Sequence, residues 1–121
     1  MWTHFWDMHS GGSGKEKQEH IFIEAPSAEA QVIFYNRFGH NPNRVTCTCC
    51  GEDYAIDEGK SLIRMTSFHR KYYKTTSSKE QTIMPLKEYE KKKDVLIIRK
   101  KDIKPEERKG TVPEQGYVWM S

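Results

Sequence analysis

The hydrophobic pattern at the start of the chain repeats every two residues, as in a β-strand. Side chains at alternate strand positions point to the same face, and one such set here is Trp2, His4, Trp6 and Met8. A glycine- and serine-rich stretch at 10–19 predicts a flexible connection, and the β-rich stretch HIFIEA at 20–25 follows it. The sequence therefore predicts an N-terminal β-hairpin.

The pattern then changes to the spacing of an α-helix. Ser27 is a favourable residue at a helix N-terminus, and Gly39 lies where a left-handed C-terminal residue is common. We therefore predict a helix over residues 27–38. Its apolar stripe at helical spacing consists of Ala28, Val32, Tyr35 and Phe38.

A second helix is predicted over residues 62–74, because Ser61 is a suitable N-cap and four apolar side chains beyond it share one helical face. These four are Leu62, Met65, Phe68 and Tyr72. Residues 75–81 read as a polar loop, and Pro85 suits the first turn of a short third helix.

Two strands are predicted in the last third of the chain. VLIIR at 95–99 is a continuous apolar run, typical of a strand at the centre of a sheet, and GYVWM at 116–120 reads as the final strand. The sequence thus predicts one small α+β domain over residues 1–121, in which a mixed sheet with an N-terminal hairpin carries about three helices on one face. Its predicted core contains Trp6, Phe22, Ile23, Phe34, Phe38, Leu96 and Ile98.

The composition is polar for a globular protein, with 36% apolar and 31% charged residues. No apolar run approaches the roughly 20 residues that a membrane-spanning helix needs. The N-terminus also lacks the basic segment and apolar run of a signal peptide. Three cysteines, two of them adjacent, do not suit a disulfide framework. We therefore expect a reduced protein of the cytoplasm.

Charge is distributed unevenly between the two halves of the chain. Residues 1–59 hold 4 Lys/Arg and 9 Asp/Glu, a net charge of −5, whereas residues 60–121 hold 16 and 8, a net charge of +8. The halves can attract each other within one fold, or the basic half can face nucleic acid or an acidic partner. The sequence leaves both interpretations open.

The stretch FHRKYYK at 68–74 interleaves aromatic and basic side chains. Lysine and arginine can neutralise phosphates, and tyrosine can stack on unpaired bases. The candidate nucleic-acid-binding residues are Arg64, Arg70, Lys71, Tyr73 and Lys74. The alternative is a solvated basic helix face with Phe68 and Tyr72 in the core. On that ground we expect at most weak, sequence-independent binding at physiological salt.

The three cysteines lie within the stretch VTCTCCGEDY at 45–54. Cys47 and Cys50 have the Cys-x-x-Cys spacing that can hold one zinc ion, and the glycine that follows them relieves the tight turn. His9 and His40 are the best candidates for the other two ligands of a structural zinc site. The alternatives are three reduced thiols packed under a loop, or a disulfide. Nothing near the cysteines indicates a catalytic thiol.

Several stretches of the chain together resemble a known family. The chain looks like small proteins encoded by tailed bacteriophages and prophages, to which no activity is assigned, in the stretches MWTHFWDMHSGG, IFIEAP, FYNRFGHNPNRVTCTCCGEDY, DVLIIRKKDIKPEER and TVPEQGYVW. The resemblance covers most of the chain except about 60–85. It implies a phage product that acts in the cytoplasm of the infected bacterial host. Small phage proteins of this class commonly bind host machinery, including defence nucleases.

Three functions are compatible with these patterns. The first is a phage-encoded accessory protein that binds a host or phage macromolecule, such as a host protein, without catalysis. This function is favoured because the residues form no convincing catalytic constellation. The alternative is a nucleic-acid-binding accessory protein that uses the basic C-terminal half, and the third is a small metal-dependent enzyme.

Overall fold

The structure is a computed structural model, and it describes residues 1–7, 19–39, 41–43, 45–47, 54–73, 80–113 and 117–119, of which 45–47 and 117–119 are described by their backbone. The strands are β1 (Trp2–Trp6), β2 (His20–Ile23), β3 (Val45–Cys47), β4 (Ala55–Gly59), β5 (Lys71–Tyr73), β6 (Gln81–Ile83), β7 (Val95–Ile98) and β8 (Tyr117–Trp119). The helices are α1 (Ser27–Phe38), α2 (Leu62–Thr66) and α3 (Leu86–Tyr89), with two 3₁₀ turns at Lys100–Asp102 and Pro105–Arg108. The predicted α+β class is confirmed.

A mixed sheet with the strand order β4-β1-β2-β7 forms the centre of the molecule. β1 is antiparallel to β2 and to β4, whereas β2 is parallel to β7. The predicted N-terminal hairpin is therefore present as β1 and β2. Two further pairs, β3 with β8 and β5 with β6, form two-stranded sheets.

The apolar run at 95–99 forms β7, but β7 lies at the edge of the four-stranded sheet and not at its centre as predicted. Its apolar pattern has another cause, because both of its faces are covered. Val95 belongs to one hydrophobic core and Ile98 to the other, and both are buried. A strand covered on both faces carries apolar side chains on both, whatever its position in the sheet.

The sheet separates two cores. On the side that we call the α1 face, Phe5 and Ile21 of the sheet belong to one cluster with Ile33 and Phe34 of α1. On the opposite side, the histidine face, which carries His4, His20 and Phe22, the cluster also contains side chains of α2 and α3. The prediction that all helices lie on one face is therefore wrong, because the strands carry large side chains on both faces.

α1 has the predicted bounds and ends at Gly39, whose φ of 82° is a left-handed conformation that glycine adopts without strain. The buried side chains of α1 are Ala30, Ile33 and Phe34, and not the predicted stripe of Ala28, Val32, Tyr35 and Phe38. The helix is apolar on more than one side, so helical spacing alone fits two stripes. The one that contains the bulky pair Ile33 and Phe34 faces the sheet.

α2 ends at Thr66, although the predicted helix continues to residue 74. Thr66 Oγ1 donates to the carbonyl of Leu62, and the guanidinium of Arg70 donates to the carbonyl of Ile63. In a longer α-helix the carbonyl of Ile63 would accept from the N–H of Ser67, which here donates to the carbonyl of Arg64 instead. The guanidinium of Arg70 therefore satisfies a carbonyl at the end of α2. No helix in the described part of the chain is long and apolar enough to cross a membrane.

The segment after α2 contains a hairpin that the sequence interpretation missed. Lys71–Tyr73 form β5, where a helix was predicted, and β5 pairs with β6. Gln81, which the predicted polar loop at 75–81 includes, is the first residue of β6. Tyrosine and other aromatic residues favour strands over helices, which agrees with the observed structure at 72–73.

The predicted core is confirmed in its larger part. Among the predicted residues, the buried ones are Phe22, Ile23, Phe34 and Ile98. The remaining three are half-buried, namely Trp6, Phe38 and Leu96. Phe38 and Leu96 pack at the margin of the core on the α1 face, and Trp6 lies on the histidine face.

Candidate metal centre

Two histidines come together on the histidine face because of the hairpin register. In the antiparallel pair, His4 lies opposite Phe22 and Trp6 lies opposite His20. His4 and His20 are therefore diagonal neighbours on one face of the sheet. They are 5% and 6% exposed, so both imidazoles are buried.

A third histidine reaches the same place from the turn between α2 and β5. The ring centroid of His69 is 4.4 Å from that of His20 and 5.6 Å from that of His4. The next residue, Arg70, holds the turn in position, because its guanidinium donates to Thr66 Oγ1 at 2.9 Å and to the carbonyl of Met84 at 3.0 Å. Three imidazoles from separate segments therefore meet on the histidine face.

The ring nitrogens of these histidines converge. His4 Nε2 lies 2.9 Å from His20 Nδ1, and with one nitrogen of His69 the three atoms all lie within 4.8 Å of one another. Zinc binds imidazole nitrogen at about 2.0–2.1 Å, so two ligand nitrogens in tetrahedral geometry are about 3.3 Å apart. The His4–His20 pair is close to this separation. The nitrogen of His69 lies up to 4.8 Å from the other two, which is about 1.5 Å more than the separation of 3.3 Å. His69 therefore has to move toward His4 and His20 by at most about 1.5 Å to bind the same ion.

Their surroundings hold the imidazoles in the neutral form at neutral pH. The pKa of His4 is lowered to about 3, mainly by burial and in addition by the neighbouring His20 and His69. Burial also lowers the pKa of His20 to about 4, with His69 acting in the same direction and Asp94 against it. The pKa of His69 is lowered by burial as well. Neutral imidazole is the form that binds a metal ion.

Glu19 orients the ring of His20. A carboxylate oxygen of Glu19 lies 3.4 Å from His20 Nε2, whereas the other ring nitrogen faces His4. A neutral imidazole has one N–H, and a carboxylate favours the proton on the nitrogen beside it. With the proton on Nε2, Nδ1 of His20 would accept the hydrogen bond from Nε2 of His4. A carboxylate that accepts from the outer N–H of a ligating histidine is a frequent feature of metal sites.

Aromatic rings enclose the three imidazoles. Phe22 stacks on His4 with the ring centroids 4.2 Å apart and the planes at 6°. Trp6 stacks on His20 at 5.4 Å and meets His69 edge-on at 5.1 Å. Trp6 Nε1 is buried and has no hydrogen-bond partner among the described residues. The cluster thus lies in an apolar enclosure that limits access of water, and one N–H donor beside it is unused.

The zinc site predicted from the cysteines lies almost wholly outside the described residues. Cys50, His9 and His40 are not among them, and Cys47 is described only as the last backbone position of β3, opposite Trp119 of β8. That ligand set therefore stays a prediction. The histidine cluster shares no residue with it.

The candidate nucleic-acid-binding residues occupy different environments. Arg64, Lys71 and Tyr73 are exposed, and Lys74 lies outside the described residues. Arg70 is only 7% exposed, and its guanidinium makes three hydrogen bonds within the chain. Because a buried guanidinium has to satisfy its donors internally, Arg70 links α2 to Met84 and is not part of the exposed basic surface.

The sequence interpretation missed the histidine cluster, although part of the signal was present. His4 and His20 lie on the two strands of the predicted hairpin, so the sequence places them on neighbouring strands. Whether they share a face depends on the register of the hairpin, which the connection at 10–19 does not specify. His69 carried no such signal, because the predicted helix at 62–74 continued through it.

Comparisons with models of known protein families, with curated proteins and with solved structures find no match for this chain. The interpretation of the site therefore rests on the arrangement of its own side chains. The resemblance to phage proteins stays a prediction.

Proposed function

We propose that the protein binds one zinc ion through His4, His20 and His69. The observation that carries this proposal is the convergence of three imidazole nitrogens to within 4.8 Å of one another. They come from two strands and a turn, and only the folded chain brings them together. Three nitrogen ligands and one further position match the tetrahedral geometry of zinc.

Zinc fits the type of ligand better than the other common ions do. Magnesium and calcium prefer oxygen ligands, whereas imidazole suits zinc, copper, iron and nickel. Zinc undergoes no redox change, so it can hold a structural cross-link without side reactions. The Glu19 carboxylate beside His20 also supports the proposal, since such a partner keeps a ligating ring in the correct tautomer.

The role that we infer for the metal is structural. His4 and His20 belong to the sheet, whereas His69 belongs to the turn before β5. An ion bound to all three would fix this turn, and with it the hairpin of β5 and β6, against the histidine face. A ligand that binds only the folded state stabilises it by about 2.7 kcal/mol at a free concentration of 100 times Kd.

The wider role that we infer is the non-catalytic one expected from the sequence, namely an accessory protein that binds a host or phage macromolecule. It is supported by the exposed apolar side chains on the segment that the metal would fix, among them Phe68, Tyr73 and Ile83. Contiguous exposed apolar surface commonly marks a binding site.

A metal-dependent enzyme is the second candidate function. It is favoured by the coordination position that three histidines leave to another ligand, as in catalytic zinc sites, and by the unused N–H of Trp6 beside the cluster. A structural site takes a fourth protein ligand at that position, whereas a catalytic site keeps an exchangeable water there.

The test is a calorimetric titration of the purified, metal-free chain with zinc, with the melting temperature measured in parallel. We expect one zinc per chain and a higher Tm when zinc is bound. The decisive variant is His69→Gln, because this half-buried side chain lies on a turn and its replacement leaves the sheet intact. It should lose both the binding and the rise in Tm.

The matched control is the double variant Cys47→Ser, Cys50→Ser, which keeps all three histidines. Retention of zinc by this control and its loss in His69→Gln supports the proposal. The reverse pattern, in which the cysteine variant loses zinc and His69→Gln keeps it, contradicts the proposal and favours the cysteine ligand set.

A further inference from the structure

The exposed apolar side chains of the described residues are concentrated on α2, β5 and β6. Phe68 is 74% exposed, Tyr73 is 55% exposed and Tyr72 is 40% exposed. Two isoleucines of the same segment are also exposed, Ile63 and Ile83. We call Phe68, Tyr73 and Ile83, together with Arg64 and Lys71, the aromatic hairpin surface.

The register of the hairpin explains why its tyrosines are exposed. Tyr72 pairs with Thr82 and Tyr73 pairs with Gln81, so the two tyrosines point to opposite faces of the two-stranded sheet. Because both are exposed, neither face of the hairpin is fully covered by the body of the protein. A two-stranded hairpin alone is marginally stable in water, so a partner that covers it would also stabilise it.

The surface is held in place by its neighbours. Arg70 lies between α2 and β5, and its guanidinium donates to the carbonyls of Ile63 and Met84. The backbone N–H of Met84 in turn donates to the carbonyl of Arg70 at 2.7 Å. The aromatic side chains are therefore presented from a cross-linked segment, which lowers the ordering cost of binding.

The charge of the segment is strongly positive. Residues 60–79 contain 6 Lys/Arg and no Asp or Glu. Arg64 and Lys71 are exposed within the surface itself. A polyanion would therefore be attracted to this part of the molecule, whereas the net charge of −5 over residues 1–59 would direct it away from the other half.

We propose that the aromatic hairpin surface binds single-stranded nucleic acid. Unpaired bases stack on Phe68 and Tyr73, and the phosphates between them are neutralised by Arg64 and Lys71. Every base has a π-face, so stacking of this kind tolerates any sequence. The sequence alone argued against this partner because Phe68 and Tyr72 could be assigned to the core, and their exposure removes that argument.

The proposal does not depend on zinc. None of the residues that would contact nucleic acid is a histidine of the cluster, and the hydrogen bonds of Arg70 hold the segment whether or not a metal is bound. Failure of zinc to bind would therefore not contradict this proposal. Failure of nucleic acid to bind would likewise not contradict the proposed zinc site.

The experiment measures fluorescence anisotropy of a labelled oligothymidylate of about 15 nucleotides, and of a duplex of the same length, on addition of the full chain. We expect the single strand to bind more tightly than the duplex. Phe68→Ala and Tyr73→Ala should each weaken the binding by about 5- to 150-fold. Phe68→Trp should restore it, because tryptophan also offers a stacking surface.

The basic residues are tested by the salt dependence. Arg64→Ala combined with Lys71→Ala should reduce the slope of log Kd against log salt by about 1.4, since each phosphate contact on a single strand contributes about 0.7. The matched control is Lys87→Ala combined with Lys91→Ala, which removes the same charge from exposed positions in and after α3. The control should leave the slope almost unchanged.

Two results would overturn the proposal. One is equal affinity of the wild-type chain and of Phe68→Ala for the single strand, which would mean that bases do not stack on this surface. The other is the absence of binding to the oligothymidylate at low salt. In that case a protein partner with acidic and apolar side chains becomes the better occupant of the surface.

Discussion

The two faces of the four-stranded sheet use the same strands and yet are filled in different ways. On the α1 face, Phe5, Ile21 and Ile23 are fully buried beside α1, and the one polar side chain of β1 buried among them, Thr3, donates to the carbonyl of Ala25 at 2.9 Å. On the histidine face, Phe22 is flanked by two buried imidazoles, those of His4 and His20. One face is thus a hydrophobic core, and the other has polar rings at its centre.

The difference agrees with the proposal that the histidine face binds a metal ion. A buried imidazole loses hydration and pairs poorly with apolar neighbours, so it stabilises the fold less than a hydrocarbon of the same size. Buried imidazole nitrogens need polar partners, and His4 and His20 provide one for each other through the 2.9 Å contact between their nitrogens. A metal ion would be a further partner for these nitrogens and for His69. Among the described residues of the α1 face, no group of metal-ligating side chains comes together as the three histidines do.

The largest effect is expected from a change on the α1 face. Phe34→Ala removes a fully buried ring from the core beside the sheet, and such a truncation costs about 3–5 kcal/mol. Urea denaturation should show this loss equally with zinc and with a chelator, because Phe34 does not belong to the histidine face. A loss that depended on zinc would mean that the two faces are coupled.

An intermediate effect is expected from pH, and it should arise on the histidine face. The pKa of His4 is about 3 and that of His20 about 4 in the folded chain, against 6.5 for a histidine in an unfolded chain. Between these values and pH 6.5 the unfolded chain binds more protons than the folded chain. Stability is therefore fully present above about pH 6.5 and falls as the pH decreases toward the pKa values of the folded chain.

Denaturation of the metal-free chain between pH 7 and pH 4 measures this dependence. The double variant His4→Gln, His20→Gln is expected to have a flatter profile over the same range, whereas Phe34→Ala should keep the slope of the wild type. A wild-type profile that is flat between pH 6.5 and pH 4 would mean that these imidazoles are not buried in the neutral form.

The smallest effect is expected from His69→Gln in the absence of metal. His69 is only partly buried and lies on a turn, so its replacement should change the free energy of unfolding by no more than about 0.5 kcal/mol. With zinc present, the same variant should lack the stabilisation that the wild type gains. A large loss of stability without zinc would assign His69 a packing role instead.

The parts of the fold that the sequence predicted are those specified by local signals. The helix at 27–38 has a terminating glycine, and the strands at 20–25 and 95–99 have continuous β-favouring residues. The buried side of α1 could not be predicted, because Ile33 and Phe34 form one apolar stripe and Val32 and Tyr35 another. Only contact with the sheet selects between them.

The candidate site was harder to predict than the fold. His4 and His20 could be placed on neighbouring strands from the predicted hairpin, but their common face depends on a register that the connection at 10–19 does not specify. His69 depends on the end of α2 at Thr66, which the side chain of Arg70 helps to fix from four residues ahead. The same guanidinium also donates to the carbonyl of Met84, 14 residues away, and this tertiary contact leaves no period in the sequence. The Cys-x-x-Cys spacing of Cys47 and Cys50 is a stronger local pattern than the separated histidines. The sequence therefore predicted a zinc site at the cysteines instead.

The most direct test of the account is the ¹⁵N spectrum of the histidine imidazoles, recorded with and without one equivalent of zinc. We expect His4, His20 and His69 to be neutral at pH 7 without metal. On addition of zinc, Nε2 of His4 and Nδ1 of His20 should move to metal-bound positions, and a nitrogen of His69 should move with them. If these three rings were unchanged while zinc bound elsewhere, the histidine face would not be the metal site, and the account would be wrong.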